Sequence, residues 1–143
     1  MIALLMPLAL QATTPAPTRP APLSLGPIGQ QALPAKGCAA YLWSIDDRQL
    51  VAMATAATGT LRIAPGGATI DLAKSGETGA GDFGFAASTT YAAGGVAATL
   101  DLTIRRQQAL TAGARVETAT LRIDRPGQDS LVVPLAGLIG CAA

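Results

Sequence analysis

The sequence predicts an all-β fold, a small antiparallel β-sandwich or barrel closed by a disulfide between its N- and C-terminal strands. Three observations carry this. Gly, Pro and Asp-rich turn signals recur about every ten residues from Asp46 onward. The segments between them alternate apolar and polar with period two, and none carries the 3.6-residue periodicity of an amphipathic helix. The only two cysteines bracket the pattern: Cys38 opens the first apolar run of the domain and Cys141 ends the last.

Taken in order, Cys38–Ile45 reads as a first strand, with Tyr41 and Trp43 on one face and Leu42 on the other. Asp46-Asp47-Arg48-Gln49 is a polar turn into a second strand, Leu50–Ala54. Thr60–Ile63 and Ala68–Leu72 form a hairpin around Pro65-Gly66-Gly67; Leu61, Ile63, Ile70 and Leu72 point inward and Arg62 outward. Lys74–Gly84 reads as the longest loop, its far end tucked in by Phe83 and Phe85. Thr89–Tyr91 is a short extended piece before Gly94-Gly95. Val96–Arg106 alternates most clearly, with Leu100, Leu102 and Ile104 on one face. Gln107–Gly113 is a loop or a single helical turn. Val116–Arg125 places Leu121 and Ile123 inward, and Pro126-Gly127 turns the chain into the terminal apolar strand, Leu131–Cys141. Pro134 marks an edge, a bulge or a strand end there.

The 143 residues thus divide into three parts. Residues 1–12 are expected to be a signal peptide. Ile2–Leu10 has the length of a signal-peptide apolar core, too short to span a bilayer, and Gln11-Ala12 precedes a proline-rich stretch. No Lys or Arg precedes the run, so either the amino terminus supplies its positive charge or translation starts earlier. Residues 13–36, rich in Pro, Ala and Thr, are expected to be a disordered linker, and residues 37–143 a single β domain. An exported chain lives in an oxidising compartment, periplasmic or secreted. There two cysteines at opposite ends of a domain pair as Cys38–Cys141. The other readings are a redox switch, which lacks a Cys-x-x-Cys and a nearby cationic cluster, and two buried thiols in a cytosolic protein.

Composition excludes much chemistry. Half of the residues are hydrophobic but only 3% are aromatic, so the core is built from Leu, Ile, Val and Ala. There is no histidine, which removes Ser-His-Asp triads, Cys-His dyads and His-ligated metals. The net charge of +1 offers no broad field for nucleic acid or anionic lipid, and near-neutrality is compatible with association. No cofactor is expected, and no membrane-integrated segment in the mature chain. Gly79-Ala-Gly-Asp-Phe-Gly84 matches G-x-G-x-x-G, yet the β-leaning residues after it leave no room for the helix a dinucleotide site needs. Glu77 and Asp82, in the same loop, could meet a cation together with backbone carbonyls; two carboxylates make a poor calcium site, and a solvated loop is the plainer reading. Tyr41 and Trp43 are the best candidates for a binding surface, although aromatics this scarce also favour a core place for Trp43.

The framing motifs, Gly37-Cys-Ala-Ala-Tyr-Leu-Trp43 and Val132-Val-Pro-Leu-Ala-Gly-Leu-Ile-Gly-Cys141, resemble those of short exported hypothetical proteins of α-proteobacteria. That resemblance covers the domain from Gly37 onward and implies no activity, ligand or residue role. The function expected by subtraction is a non-catalytic, envelope-associated binding or structural module, whose partner is an envelope protein or ligand the sequence does not name. Two alternatives stand beside it. One is a barrel carrying a small molecule or lipid in its interior. The other is an enzyme working with carboxylates alone, around Asp46, Asp47 or Asp82.

Overall fold

The computed structural model describes residues 24–142. Nine strands follow one another: β1 (Leu25–Gly26), β2 (Cys38–Ser44), β3 (Leu50–Thr55), β4 (Thr60–Pro65), β5 (Ile70–Thr78), β6 (Ser88–Ala93), β7 (Val96–Arg105), β8 (Gly113–Asp124) and β9 (Leu131–Cys141). From β2 to β9 each strand pairs antiparallel with the next, and β9 pairs back onto β2. The result is a closed eight-stranded up-and-down barrel, in which closure leaves no bare sheet edge. The seam is the β2–β9 pairing, where Cys38 lies opposite Cys141 and is bonded to it.

Strand direction sorts the connections between two ends. The disulfide end gathers Cys38, Cys141 and the connections 56–59, 79–87 and 106–112. The opposite end holds four turns, at 45–49, 66–69, 94–95 and 125–130. Alternation along each strand sends one set of side chains inward. Leu42, Leu61, Ile63, Leu72, Leu121, Ile123 and Leu135 have 0% exposure, so no space as large as a water molecule adjoins them. Burying each contributes roughly 2 kcal/mol. Tyr91 and Thr89 complete the core toward the disulfide end.

The sequence-based strands hold for β2 and β7 to within a residue and for β9 in full. Residues 74–78, read as loop, instead continue β5 against β6. Their Lys-Ser-Gly-Glu-Thr composition hides a strand because backbone pairing and polar contacts such as Ser75 with Thr90 hold it, and a bulge between Lys74 and Gly76 breaks the alternation. Residues 107–113 contain a turn closed by the Leu110 amide on the Gln107 carbonyl, and β8 begins at Gly113, earlier than Val116.

The expected signal peptide, 1–12, and the linker as far as residue 23 lie outside the described residues. Residues 24–36 correct the linker reading: this segment is seated on the barrel. Leu25–Gly26 pairs with β4, and the Ile28 amide donates to the Leu50 carbonyl at 2.9 Å. Ile28 is buried in a second apolar cluster with Ala39, Met53 and Ala64, outside the barrel wall. The Tyr41 hydroxyl donates to the Ala32 carbonyl at 2.9 Å, and the Arg62 guanidinium donates to Gln31 at 2.7 Å. The segment therefore covers an apolar outer strip of β2, β3 and β4 that would otherwise face water.

Candidate functional site

Among the described residues, apolar side chains fill the middle of the barrel interior. Besides the sealed core, the hollow among Thr55, Gly59, Lys74, Glu77, Phe85, Thr89 and Tyr91 has room for about 10 Å³, at the limit of one water molecule. Burial pushes the Tyr91 phenol up to about 12.

The glycine-rich loop of residues 79–87 is a folded cap. Arg106 grips both carboxylate oxygens of Asp82 at 2.6 and 2.8 Å, and its guanidinium stacks 5.1 Å from the Phe83 ring centroid. Asp82 also accepts from the Phe83 amide at 2.9 Å, and Asp82 pairs with Phe85 across the loop. The Arg106 side chain, then that amide, hold the Asp82 carboxyl below its usual range. Phe85 is buried and Phe83 packs beside the core, as expected of both. A Cβ at Gly81 would overlap the Phe85 carbonyl, so this turn admits only glycine there. The G-x-G-x-x-G spacing thus reflects loop geometry, and the chain after it enters strand β6.

Glu77 and Asp82 do line one open hollow of about 340 Å³. Each is neutralised separately, Glu77 by Lys74 at 3.3 Å and Asp82 by Arg106. Among the described residues no three His, Cys, Asp or Glu side chains gather as a metal site would. Asp46 and Asp47 occupy the β2–β3 turn, where the Asp47 carboxylate accepts from the Gln49 amide at 3.2 Å. That turn lies at the end of the barrel opposite Asp82, so the three acids cannot converge on one substrate. Arg62 and Asp71 pair across β4 and β5 at 2.8 Å, whereas Arg122 and Asp124 pair along β8 at 3.1 Å.

Tyr41 and Trp43 do share a face, and it is the outer one. Trp43, for which scarcity of aromatics favoured the core, sits half-buried on the wall beside the seam. In register with it across the seam is Ala136, and Tyr41 faces Leu138. The whole outer row of β9 (Val132, Pro134, Ala136, Leu138 and Gly140) lacks a polar side chain. Val132 is 56% exposed, Leu138 49%, and neighbouring Ile45 54%. Leu33, 62% exposed, lies over Gly140 and extends the strip toward the disulfide end. The strip is bordered on one side by the segment from Leu25 to Leu33. On the other stand Arg115, Thr120 and Arg122 of β8, opposite Leu138, Pro134 and Val132. By contrast the outer faces of β4 to β8 carry Arg62, Asp71, Thr90, Thr99, Asp101, Thr103, Thr118 and Thr120 among small alanines.

Sequence reasoning found Tyr41 and Trp43 but missed Leu138, Val132, Pro134 and Ile45. The signal was present: a strand apolar on both faces needs a cover on each. Arg106, which locks the loop, carried no recognisable signal, since its partner lies 24 residues away in sequence. No protein-family model, curated protein or solved structure matches this chain.

Proposed function

We propose that this chain is an exported, non-catalytic binding or structural module that works in the periplasm or outside the cell. It engages its partner through the outer wall over β2 and β9. One observation carries the reading: an apolar strip, Leu33, Leu138, Ala136, Trp43, Pro134, Ile45 and Val132, which holds four of the five exposed large hydrophobic side chains among the described residues, Leu110 being the fifth. An apolar centre with a polar rim and an aromatic anchor is the anatomy of a protein interface.

The other features agree. The Cys38–Cys141 disulfide is consistent with an oxidising compartment. The sealed interior weighs against a carrier, and the placing of Asp82, held by Arg106, at the end of the barrel opposite Asp46 and Asp47 weighs against a carboxylate-dependent enzyme. No helix among the described residues is long and apolar enough to cross a membrane. An apolar interior with a polar outer face on β4 to β8 is the reverse of a membrane-spanning barrel.

Photo-crosslinking in cells tests the proposal. A crosslinkable residue at position 138 is expected to trap a discrete partner, while one at exposed position 92 on the far wall traps none. Equal trapping at both positions, or none at 138, would overturn it.

A further inference from the structure

We infer that the partner on the seam wall is a second copy of this chain, docked as an antiparallel two-fold dimer. The inference rests on the wall being the working surface and adds who occupies it. The argument is charge complementarity along the strip.

At the disulfide end, Lys36 and Arg115 have no ion-pair partner among the described residues, and Arg115 stands directly across from Leu138. Arg105, the register neighbour of Arg115, is already engaged by Glu117. At the other end, Asp46 and Asp47 in the β2–β3 turn and Asp129 in the β8–β9 turn are likewise without ion-pair partners among the described residues. Arg48 in the β2–β3 turn and Arg125 in the β8–β9 turn also lack an ion pair among the described residues, so three acids stand against two cations and the excess acid lies in the β2–β3 turn. The strip is therefore cationic at one end, apolar in the middle and anionic at the other.

A two-fold axis lying in the contact plane, crossing the strands near Ala136, faces two such walls and reverses their direction. Leu33 and Leu138 of one copy then meet Ile45, Pro134 and Val132 of the other. Lys36, beside the start of β2, then approaches Asp46 and Asp47, and Arg115 on β8 approaches Asp129 in the β8–β9 turn of the other copy, so one operation serves both ends. The parallel alternative would stack like charges at both ends. A chain of net charge +1 adds little overall repulsion to oppose the contact.

Sedimentation velocity on the purified, disulfide-intact protein tests this. A dimer is expected to form with a Kd between about 1 µM and 1 mM and to weaken with added salt. Leu138→Lys, at a half-exposed position, is expected to weaken it about tenfold or more while the melting temperature holds. Lys36→Asp is expected to weaken it too, and adding Asp46→Arg and Asp47→Arg to that variant to recover most of the loss. Recovery by double reversal would not follow from a merely structural role. A wild-type protein that stays monomeric, a dimer indifferent to Leu138→Lys, or no recovery on charge reversal would each overturn the inference. If the wild type is monomeric yet position 138 traps a different protein in cells, the wall remains the working surface and only the second copy is wrong. If position 138 traps nothing, both readings fall.

Discussion

Removing the seam disulfide, by Cys38→Ala with Cys141→Ala, tests how this barrel is held closed. The bond joins residues 103 apart in sequence, so it closes almost the whole domain into one loop in the unfolded chain. On the chain-entropy account such a loop is worth about 4.7 kcal/mol. Small domains are net stable by about 5–15 kcal/mol, so the loss is a third of the total or more. The location adds a local effect. Cys38 and Cys141 are register partners on the first and last strands of the barrel, and the seam is the one pairing within the barrel whose strands are not consecutive in the chain. Guanidinium denaturation of the oxidised and double-alanine proteins reads the difference. With an m-value of roughly 3 kcal/mol/M, the midpoint is expected to fall by about 1.5 M. The m-value itself should rise, because the unlinked unfolded chain exposes more surface. Hydrogen exchange should quicken first in β2 and β9. A loss under about 1 kcal/mol, or quickened exchange spread evenly over all strands, would refute the reasoning.

Three further outcomes are expected. Tyr91 is buried with its phenol raised to about 12, so folding favours the neutral form: stability is full below about pH 10 and falls as pH rises toward 12. Stability measured across that window should decline by up to about 3 kcal/mol, and Tyr91→Phe should flatten most of the slope. At the acid end, Asp71 and Asp82 sit below their usual range, first through hydrogen bonds from Arg62 and Arg106 respectively. Their stabilisation is present above about pH 4 and lost as pH falls through their folded values. Asp82→Asn should quicken hydrogen exchange in residues 79–87 at neutral pH while leaving β2 and β9 unchanged. At Gly137, a Cβ would overlap the Tyr41 carbonyl and lie 3.1 Å from the Leu42 Cα, both backbone atoms of the seam. Gly137→Ala should cost about 2 kcal/mol or more, read as a lowered melting temperature.

Much of the fold was legible because alternation is a local property. Leu100 and Leu102, or Leu121 and Ile123, declare their face without reference to any other strand. Barrel and sandwich could not be told apart, since the deciding contact is β2 against β9 at opposite ends of the sequence. The cysteine pair marked that contact without fixing what the strands between would do. The seating of residues 24–36 was hidden by their prolines, which suit an extended segment whether or not it lies on a surface. Leu25, Ile28 and Leu33 carried the hint of a surface to cover. For the candidate site, Tyr41 and Trp43 stood out by rarity. The strip they belong to depended on Leu138 and Val132, which look like core residues until the register shows which way they point.

The claim that bears most of this account is that the barrel works in an oxidising compartment with its seam bonded. The direct test is the intact mass of the native protein taken from cells, alkylated before and after reduction. The account expects a chain shortened at its N-terminus by about twelve residues, as a signal-peptide cleavage after Ala12 would leave it. It also expects alkylation of two cysteines only after reduction. A full-length chain with two freely alkylated thiols would contradict it, removing the compartment and the staple together.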